Sequence, residues 1–566
     1  MDSQKNTGNT AGKEKGGARG AIAAIATLAL LVAALIVWWD RRPEATSEED
    51  APPPEVTPEL LARGETIFAK QCAACHGDKG NGDGHAAFLL YPKPRNFALG
   101  RFRLISTENR VPTDRDLFTT ITNGMPGSAM PPWSYLSVQD RWALVFHVRR
   151  LSREGKIESL VAGDGLGPAE AAKVADELLA VGPTVNPGEE IPVTPEALAH
   201  GRELYVQHCA SCHDLDGRGR KKRDLVDDEG FPVFARDYTQ GVFKGGSDSK
   251  SIAYRMLAGM PGTPMPSYKE TLGKNPADFW AVVHYIQSLV PVSAKERVIQ
   301  RQHVLVAKKS SQPVIPDAKN PVWSEAEPVY LALAPLWWRD DRVEGLTVRV
   351  LHDGEKIGFL LSWEDLTKED QTVQATAFAD GSAIQFWEGE DPPFFAMGAK
   401  GGKVNIWNCK SHWQTDLTGY KDILDAYPNA AVDLYPSQKD FHPGVRPGKE
   451  DLTAKDMDPT YMTAWGSGNP VSDPEKSWGI ENLTAQGFGT LESQPHAAQT
   501  VVGKLQWADG YWRVACVRSL KGAAEGDVNF TPGRTMSVAF AVWDGKAGDR
   551  NGQKSVTIWH RLSIEE

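Results

Sequence analysis

Cys72-Ala73-Ala74-Cys75-His76 and Cys209-Ala210-Ser211-Cys212-His213 are two copies of one pattern, C-x-x-C-H. Cysteines at this spacing offer two thiols that can add across the vinyl groups of a porphyrin. The adjacent histidine then sits below the iron as its proximal ligand. One copy in 566 residues could be coincidence or half of a zinc site. Two copies in repeated surroundings point to two covalently attached haem c groups. Cys72, Cys75, Cys209 and Cys212 are their attachment points, and His76 and His213 their iron ligands.

The surroundings do repeat. VTPELLARGETIFAKQCAACHGDKGNGDG starts at Val56 and VTPEALAHGRELYVQHCASCHDLDGRGR at Val193. In each, Thr-Pro-Glu is a helix start, with threonine as N-cap and proline in the first turn. Each copy also closes on a helical stretch, VQDRWALVFHVRRL (138–151) and NPADFWAVVHYIQSL (275–289), in which Trp142 matches Trp280 and Leu151 matches Leu289. A helix entering the haem motif and a helix closing the domain resemble class I cytochrome c. The segments 56–152 and 193–292 are therefore expected to be two all-α cytochrome c domains. Candidates for the sixth iron ligand are Met125 and Met130 in NGMPGSAMPPW, and Met260 and Met265 in AGMPGTPMPSY. The resemblance favours Met130 and Met265, and a thioether there raises the haem potential. Met125 and Met260 are expected to pack in the core. His85, His200 and His208 are competing ligands.

The rest of the N-terminal half carries no further chemistry. Residues 21–39, AIAAIATLALLVAALIVWW, hold no charge, follow a polar tail at 1–20, and end on Trp38 and Trp39. As a helix the run spans about 28 Å, close to the hydrocarbon thickness of a bilayer. It reads as a single transmembrane anchor rather than a cleaved leader, with everything beyond it on the outer, periplasmic side of the inner membrane. That side is where bacterial c-type haem is attached. Segments 40–55, 153–192 and 293–319 read as linkers. A net charge of −11 gives no reason to expect nucleic acid as a partner.

From about Asn320 the pattern changes to short alternating runs bounded by Gly, Asp and Asn, among them EGLTVRVLHDG, KIGFLLSWED, KVNIWNCK, GYWRVACVRSL and RTMSVAFAVWDG. These predict an antiparallel β-sandwich over 320–566, with an irregular insertion near 415–490. The stretches PVWSEAEPVYLALAPLWW, FADGSAIQFWEGEDPPFFAMGAKGGKVNIWNCK and AFAVWDGKAGDRNGQKSVTIWHRL resemble the haem b-binding domain of ethylbenzene dehydrogenase γ subunits. Related domains accompany dimethylsulfide dehydrogenase, chlorate and selenate reductases and nitrite oxidoreductases, all type II members of the dimethylsulfoxide reductase family of molybdenum enzymes.

The resemblance implies one non-covalent haem b held between a methionine and a lysine. The matching positions are Met397, in PPFFAMG, and Lys554, in RNGQKS. Lysine binds iron only as the neutral amine, so the site must favour loss of a proton whose ordinary pKa is about 10.4. Lys410 and Lys504 are fallback ligands, and His412 or His560 would give a different ligand class. The chain departs from the family at Cys409. With Cys516 in another strand, three readings stay open: a disulfide, two buried free thiols, or ligation by Cys409.

Two c-type haems and one haem b, each with both axial positions filled, imply electron transfer rather than catalysis. No H-E-x-x-H, G-x-S-x-G or phosphate loop is present. The resemblance implies a membrane-anchored electron-transfer subunit of a molybdenum oxidoreductase, nitrite oxidoreductase-like in first instance. Its partners would be iron–sulfur and molybdopterin subunits and an external redox protein such as a soluble cytochrome or oxidase. The alternatives are the dihaem subunit of a cbb3-type cytochrome oxidase and a haem-based redox sensor.

Overall fold

The computed structural model describes residues 51–221, 224–419, 421, 423–429 and 477–566. The expected tail and anchor at 1–39 lie outside the described residues, as does most of the expected insertion at 415–490. Among the described residues no helix is long and apolar enough to cross a membrane. Residues 55–566 form one unit.

The first haem motif sits between two crossing helices. Helix α1 (Pro58–Gln71) starts where the Thr57 hydroxyl accepts from the Leu60 N–H at 3.2 Å. It runs into α2 (Ala73–His76), a single turn that presents the motif. Helix α3 (Asp114–Asn123) opens on a reciprocal capping box between Thr113 and Asp116. Helix α4 (Val138–Gly163) packs across α1 at Gly64, where any Cβ would collide with the Ala143 carbonyl. The closing helix thus runs on past the expected boundary at 152. Helix α5 (Pro168–Leu178) then folds back on it through Ile157, Leu160, Ala171 and Ala175.

The second copy repeats this construction with α6 (Pro195–His208), α7 (Ala210–His213), α8 (Ser249–Ala258) and α9 (Pro276–Ser288). Gly201 takes the place of Gly64, meeting the Ala281 carbonyl of α9. A short α10 (Val292–Arg297) leads into the β-domain.

Among the described residues that domain has fourteen strands: β1 (Val304–Lys309), β2 (Val329–Ala332), β3 (Ala334–Pro335), β4 (Gly345–His352), β5 (Lys356–Glu364), β6 (Gly381–Trp387), β7 (Val404–Lys410), β8 (Ile480–Ala485), β9 (Glu492–Ser493), β10 (Val502–Ala508), β11 (Tyr511–Ser519), β12 (Thr535–Trp543), β13 (Ser555–Val556) and β14 (His560–Ile564). The order along the main path is β10-β11-β5-β4-β1-β14-β12-β6-β7-β8-β9. One correction concerns β1, which lies in the segment expected to be a polar linker. Val304–Ala307 pair parallel with β14, and Lys308 and Lys309 pair parallel with β4. The strand therefore passes from one antiparallel sheet to the other and joins them. Its alternation explains the placement: Leu305 and Ala307 are buried while Val304 and Val306 are exposed.

Period-two alternation also decides where a cofactor can go. On β6, β7 and β12, Ile384, Phe386, Trp407, Val538, Phe540 and Val542 face the core between the two sheets. Ala383, Ile406, Ala539 and Ala541 face the opposite side and share a second core with the first cytochrome c domain. The small residues on that outer face leave room beside the sheet. Cys409 on β7 and Cys516 on β11 are both fully buried free thiols, which speaks against the disulfide among the three readings, and Cys409 also lines a cavity on that outer face.

Candidate haem sites

Both c-type sites are prepared around the histidine. His76 Nδ1 lies 3.1 Å from the Arg95 carbonyl, and His213 Nδ1 lies 3.3 Å from the Arg236 carbonyl. A carbonyl can only accept, so Nδ1 carries the proton and Nε2 is left with a lone pair that could ligate a metal. Phe97 stacks on His76 at 4.5 Å between centroids, and Tyr238 on His213 at 4.6 Å. Burial lowers both histidines to about 4, which keeps them in the neutral form that ligates. The copies differ at one atom. The Tyr238 hydroxyl lies 3.1 Å from His213 Nε2, and an iron–nitrogen bond there requires it to turn aside.

Opposite each histidine a tight hairpin carries the methionines. Met125 N–H donates to the Met130 carbonyl at 3.0 Å, and Met260 N–H to the Met265 carbonyl at 3.2 Å. Both ends of each hairpin face the haem space. The cavity holding Cys72, Cys75 and His76 is lined by Met125 as well as Met130, and the cavity holding Cys209, Cys212 and His213 by Met260 as well as Met265. Met125 and Met260 are thus not the core residues expected, because the hairpin closure brings them to the cavity wall. Of the competing histidines, His208 lines the second cavity, and His200 bonds Asp278 at 2.7 Å on the surface. His85 lies in a different cavity altogether.

That third cavity, of about 990 Å³, lies on the outer face of β7-β6-β12 and brings together Met397 and Lys554. It falls at the upper end of the volumes that hold small-molecule cofactors. Met397 has a φ of 66°, a left-handed conformation that only glycine adopts freely. Gln385 holds it there. The Gln385 amide donates to the Phe395 carbonyl at 2.8 Å and accepts from Met397 N–H at 3.0 Å, while Gly487 N–H donates to the Met397 carbonyl at 2.8 Å. Strain kept in place by several bonds is a mark of functional positions.

Lys554 follows a turn in which Asn551 is also left-handed. Its Nζ lies 4.8 Å from the Trp543 ring centre, and burial lowers its pKa to about 8. The fallback residues are placed differently. Lys410 lines the cavity but is ion-paired with Glu481, Lys504 is exposed on β10, His412 lines the cavity, and His560 is buried with Nδ1 accepting from His303 N–H at 3.1 Å.

The three cavities share walls. Phe395 lines both the third cavity and the first c-type cavity, and Phe394 lines the latter. His85, Phe88 and Leu89 of the first cytochrome c domain reach back to close the third cavity. Arg103 and Lys244 line both c-type cavities. Around that second junction Arg103 pairs with Asp227 at 2.6 Å, both buried, and Arg95 with Glu229 at 3.3 Å. Lys244 makes no ion pair among the described residues, and burial together with Arg236, Arg103 and Arg95 pushes its pKa well below the usual lysine range. Apolar cavities meeting at a surplus of positive charge suit a cofactor that is an apolar macrocycle carrying carboxylates. None of these shared residues sits in a motif. Each pair meets across a hundred or more residues of chain, and no local pattern signals the meeting.

Comparison with known proteins agrees with this division. Residues 320–555 match the family model described as ethylbenzene dehydrogenase, residues 59–148 that of cbb3-type cytochrome c oxidase subunit III, and residues 198–290 that of cytochrome c. Among curated relatives, a haem subunit assigned to respiratory nitrate reductase in Haloferax mediterranei is 38% identical over 39% of this chain and 57% of its own length. The chlorate reductase γ subunit of Ideonella dechloratans is 39% identical over 14% of this chain and 34% of its own. The dimethylsulfide dehydrogenase γ subunit of Rhodovulum sulfidophilum is 25% identical over 41% of this chain and 65% of its own. The chain therefore spans between a third and two thirds of the relatives it matches. Residues 59–148 and 198–290 are thus similar to cytochrome c domains, and residues 320–555 to the ethylbenzene dehydrogenase family.

Proposed function

We propose that this chain is the electron-transfer subunit of a molybdenum oxidoreductase of the nitrate reductase, chlorate reductase and dimethylsulfide dehydrogenase kind. It carries a haem b between Met397 and Lys554 and two haem c groups at Cys72/Cys75/His76/Met130 and Cys209/Cys212/His213/Met265. The one observation that carries the reading is the sharing of walls, through Phe395 at one junction and Arg103 and Lys244 at the other. Shared walls support an order in series, haem b to first haem c to second haem c. Electron transfer slows steeply with separation, and cofactors in adjoining cavities are spaced for it.

Haem supplies one-electron chemistry; the chain's own residues set its potential through axial ligands, burial and nearby charge. Iron–sulfur and molybdopterin subunits on the haem b side, and an external redox protein beyond the second haem c, complete the path. Anchoring through residues 21–39 with the haem domains on the outer side of the inner membrane suits that role. The cbb3-type family model covers residues 59–148 and a cbb3-type subunit aligns over 242 residues, but the model for 320–555 is that of ethylbenzene dehydrogenase, a domain for which the cbb3-type reading has no use, so the molybdoenzyme reading is preferred.

The test is a Cys72→Ala/Cys75→Ala chain purified with its partners. Substrate added to the complex should reduce haem b, while the second haem c stays oxidised for much longer than in the wild type. Reduction of the second haem c at the wild-type rate would refute the series order. Failure of the wild-type chain to co-purify with a molybdopterin subunit would refute the assignment to that enzyme class.

A further inference from the structure

We propose that Asp365, Glu369 and Asp380 bind a divalent cation of the calcium class beside the haem b cavity. One carboxylate oxygen from each lies within 4.8 Å of one from each of the others. Calcium takes oxygen ligands at about 2.3–2.6 Å, which places opposing ligands about 5 Å apart, so a single ion can touch all three. The donor set is entirely oxygen, which selects a hard cation over zinc or copper.

A second observation points to a ligand rather than to a chance cluster. Asp365 is 8% exposed; its Oδ1 accepts from the Thr367 N–H at 3.1 Å and hydroxyl at 3.2 Å, while its Oδ2 is buried and meets no donor. A buried carboxylate oxygen without a partner is costly, and a cation is the partner that removes the cost. Asp380 is 1% exposed and accepts from Glu369 N–H at 2.7 Å, Trp512 Nε1–H at 2.9 Å and Gly545 N–H at 2.8 Å. Among the described residues, none of the three acids pairs with lysine or arginine; the neighbouring cations Lys368 and Arg339 are taken by Asp370 and by Asp544 and Asp549. Burial accordingly raises Asp365 to about 6 and Asp380 to about 7.

The position gives the ion a role. Asp380 lines the haem b cavity and, through Gly545, holds the loop that runs by Asp549 and Arg550 to Lys554. A bound cation would neutralise the acids next to the haem and fix the start of the segment that presents the lysine.

The experiment uses the full chain treated with a chelator and then titrated with terbium(III), a calcium mimic. Trp512 bonds directly to Asp380, so terbium at this site gains tryptophan-sensitised emission. Saturable emission displaced by calcium and a calcium-dependent rise in melting temperature are expected. Asp365→Asn can keep the Oδ1 bonds to Thr367 and should weaken terbium binding by more than about tenfold and abolish the calcium-dependent rise. Emission unchanged in Asp365→Asn would overturn the proposal. So would an Asp365→Asn chain that melts higher than wild type by the same margin with and without calcium, because relief of carboxylate repulsion alone would then explain the site.

Discussion

Replacing Met397 by glycine and by alanine removes the same thioether from the haem b cavity but treats the backbone differently. At a φ of 66° a residue with a Cβ bears about 1–2 kcal/mol of left-handed strain. Glycine escapes it, at the cost of about 0.5–1 kcal/mol of extra chain entropy lost on folding. Met397→Gly should therefore be more stable than Met397→Ala by about 0.5–1 kcal/mol. Both should lose the native haem b spectrum equally. Gln385→Ala separates the two effects by leaving the thioether in place. It strands the Phe395 carbonyl and the Met397 N–H, which are worth about 1–3 kcal/mol when buried without partners. The assay is urea unfolding followed by near-ultraviolet circular dichroism, with the haem spectrum recorded on the same samples. An alanine variant as stable as the glycine variant would show that the left-handed backbone stores no strain. A wild-type haem b spectrum in either would show that Met397 is not an axial ligand.

Gly201→Ala forces the α6–α9 crossing apart and should destabilise the second cytochrome c domain by about 1–3 kcal/mol, whereas Gly163→Ala, with open space around it, should be neutral or slightly stabilising; thermal melts of both check this. Arg103→Gln removes a guanidinium that lines both c-type cavities, so both haem c potentials should fall, by tens of millivolts in a spectroelectrochemical titration, while haem b changes less. His560 is held at about 3 by burial and by His303, far below its unfolded value. Its contribution to stability is complete above about pH 6.5 and is lost at roughly 1.4 kcal/mol per unit as the pH falls toward 3. His560→Gln should flatten that part of the stability–pH curve in urea titrations.

What could be read from the chain was local. The C-x-x-C-H motifs, the Thr57 and Thr194 caps, the closing tryptophan helices and the alternation of β6, β7 and β12 all lie within a few turns or one strand, and the structure has them where expected. Residues that act through distant pairing were not legible. Strand β1 was hidden in a polar segment, because its partner Arg561 lies 257 residues from Val304. That Met125 and Met260 also reach the cavities is not legible in the sequence, because a backbone bond rather than a hydropathy pattern brings them there. The third cavity lies outside the sandwich core, against the first cytochrome c domain, because of three alanines on one sheet face and Phe395. Neither has a spacing that marks it.

The most direct measurement is the haem inventory of the purified full-length chain by pyridine haemochrome before and after acid–acetone extraction. Two haem c that stay with the polypeptide and one haem b that leaves it are predicted. A single covalent haem, or no extractable haem b from a folded chain supplied with haem, would contradict a three-cofactor path.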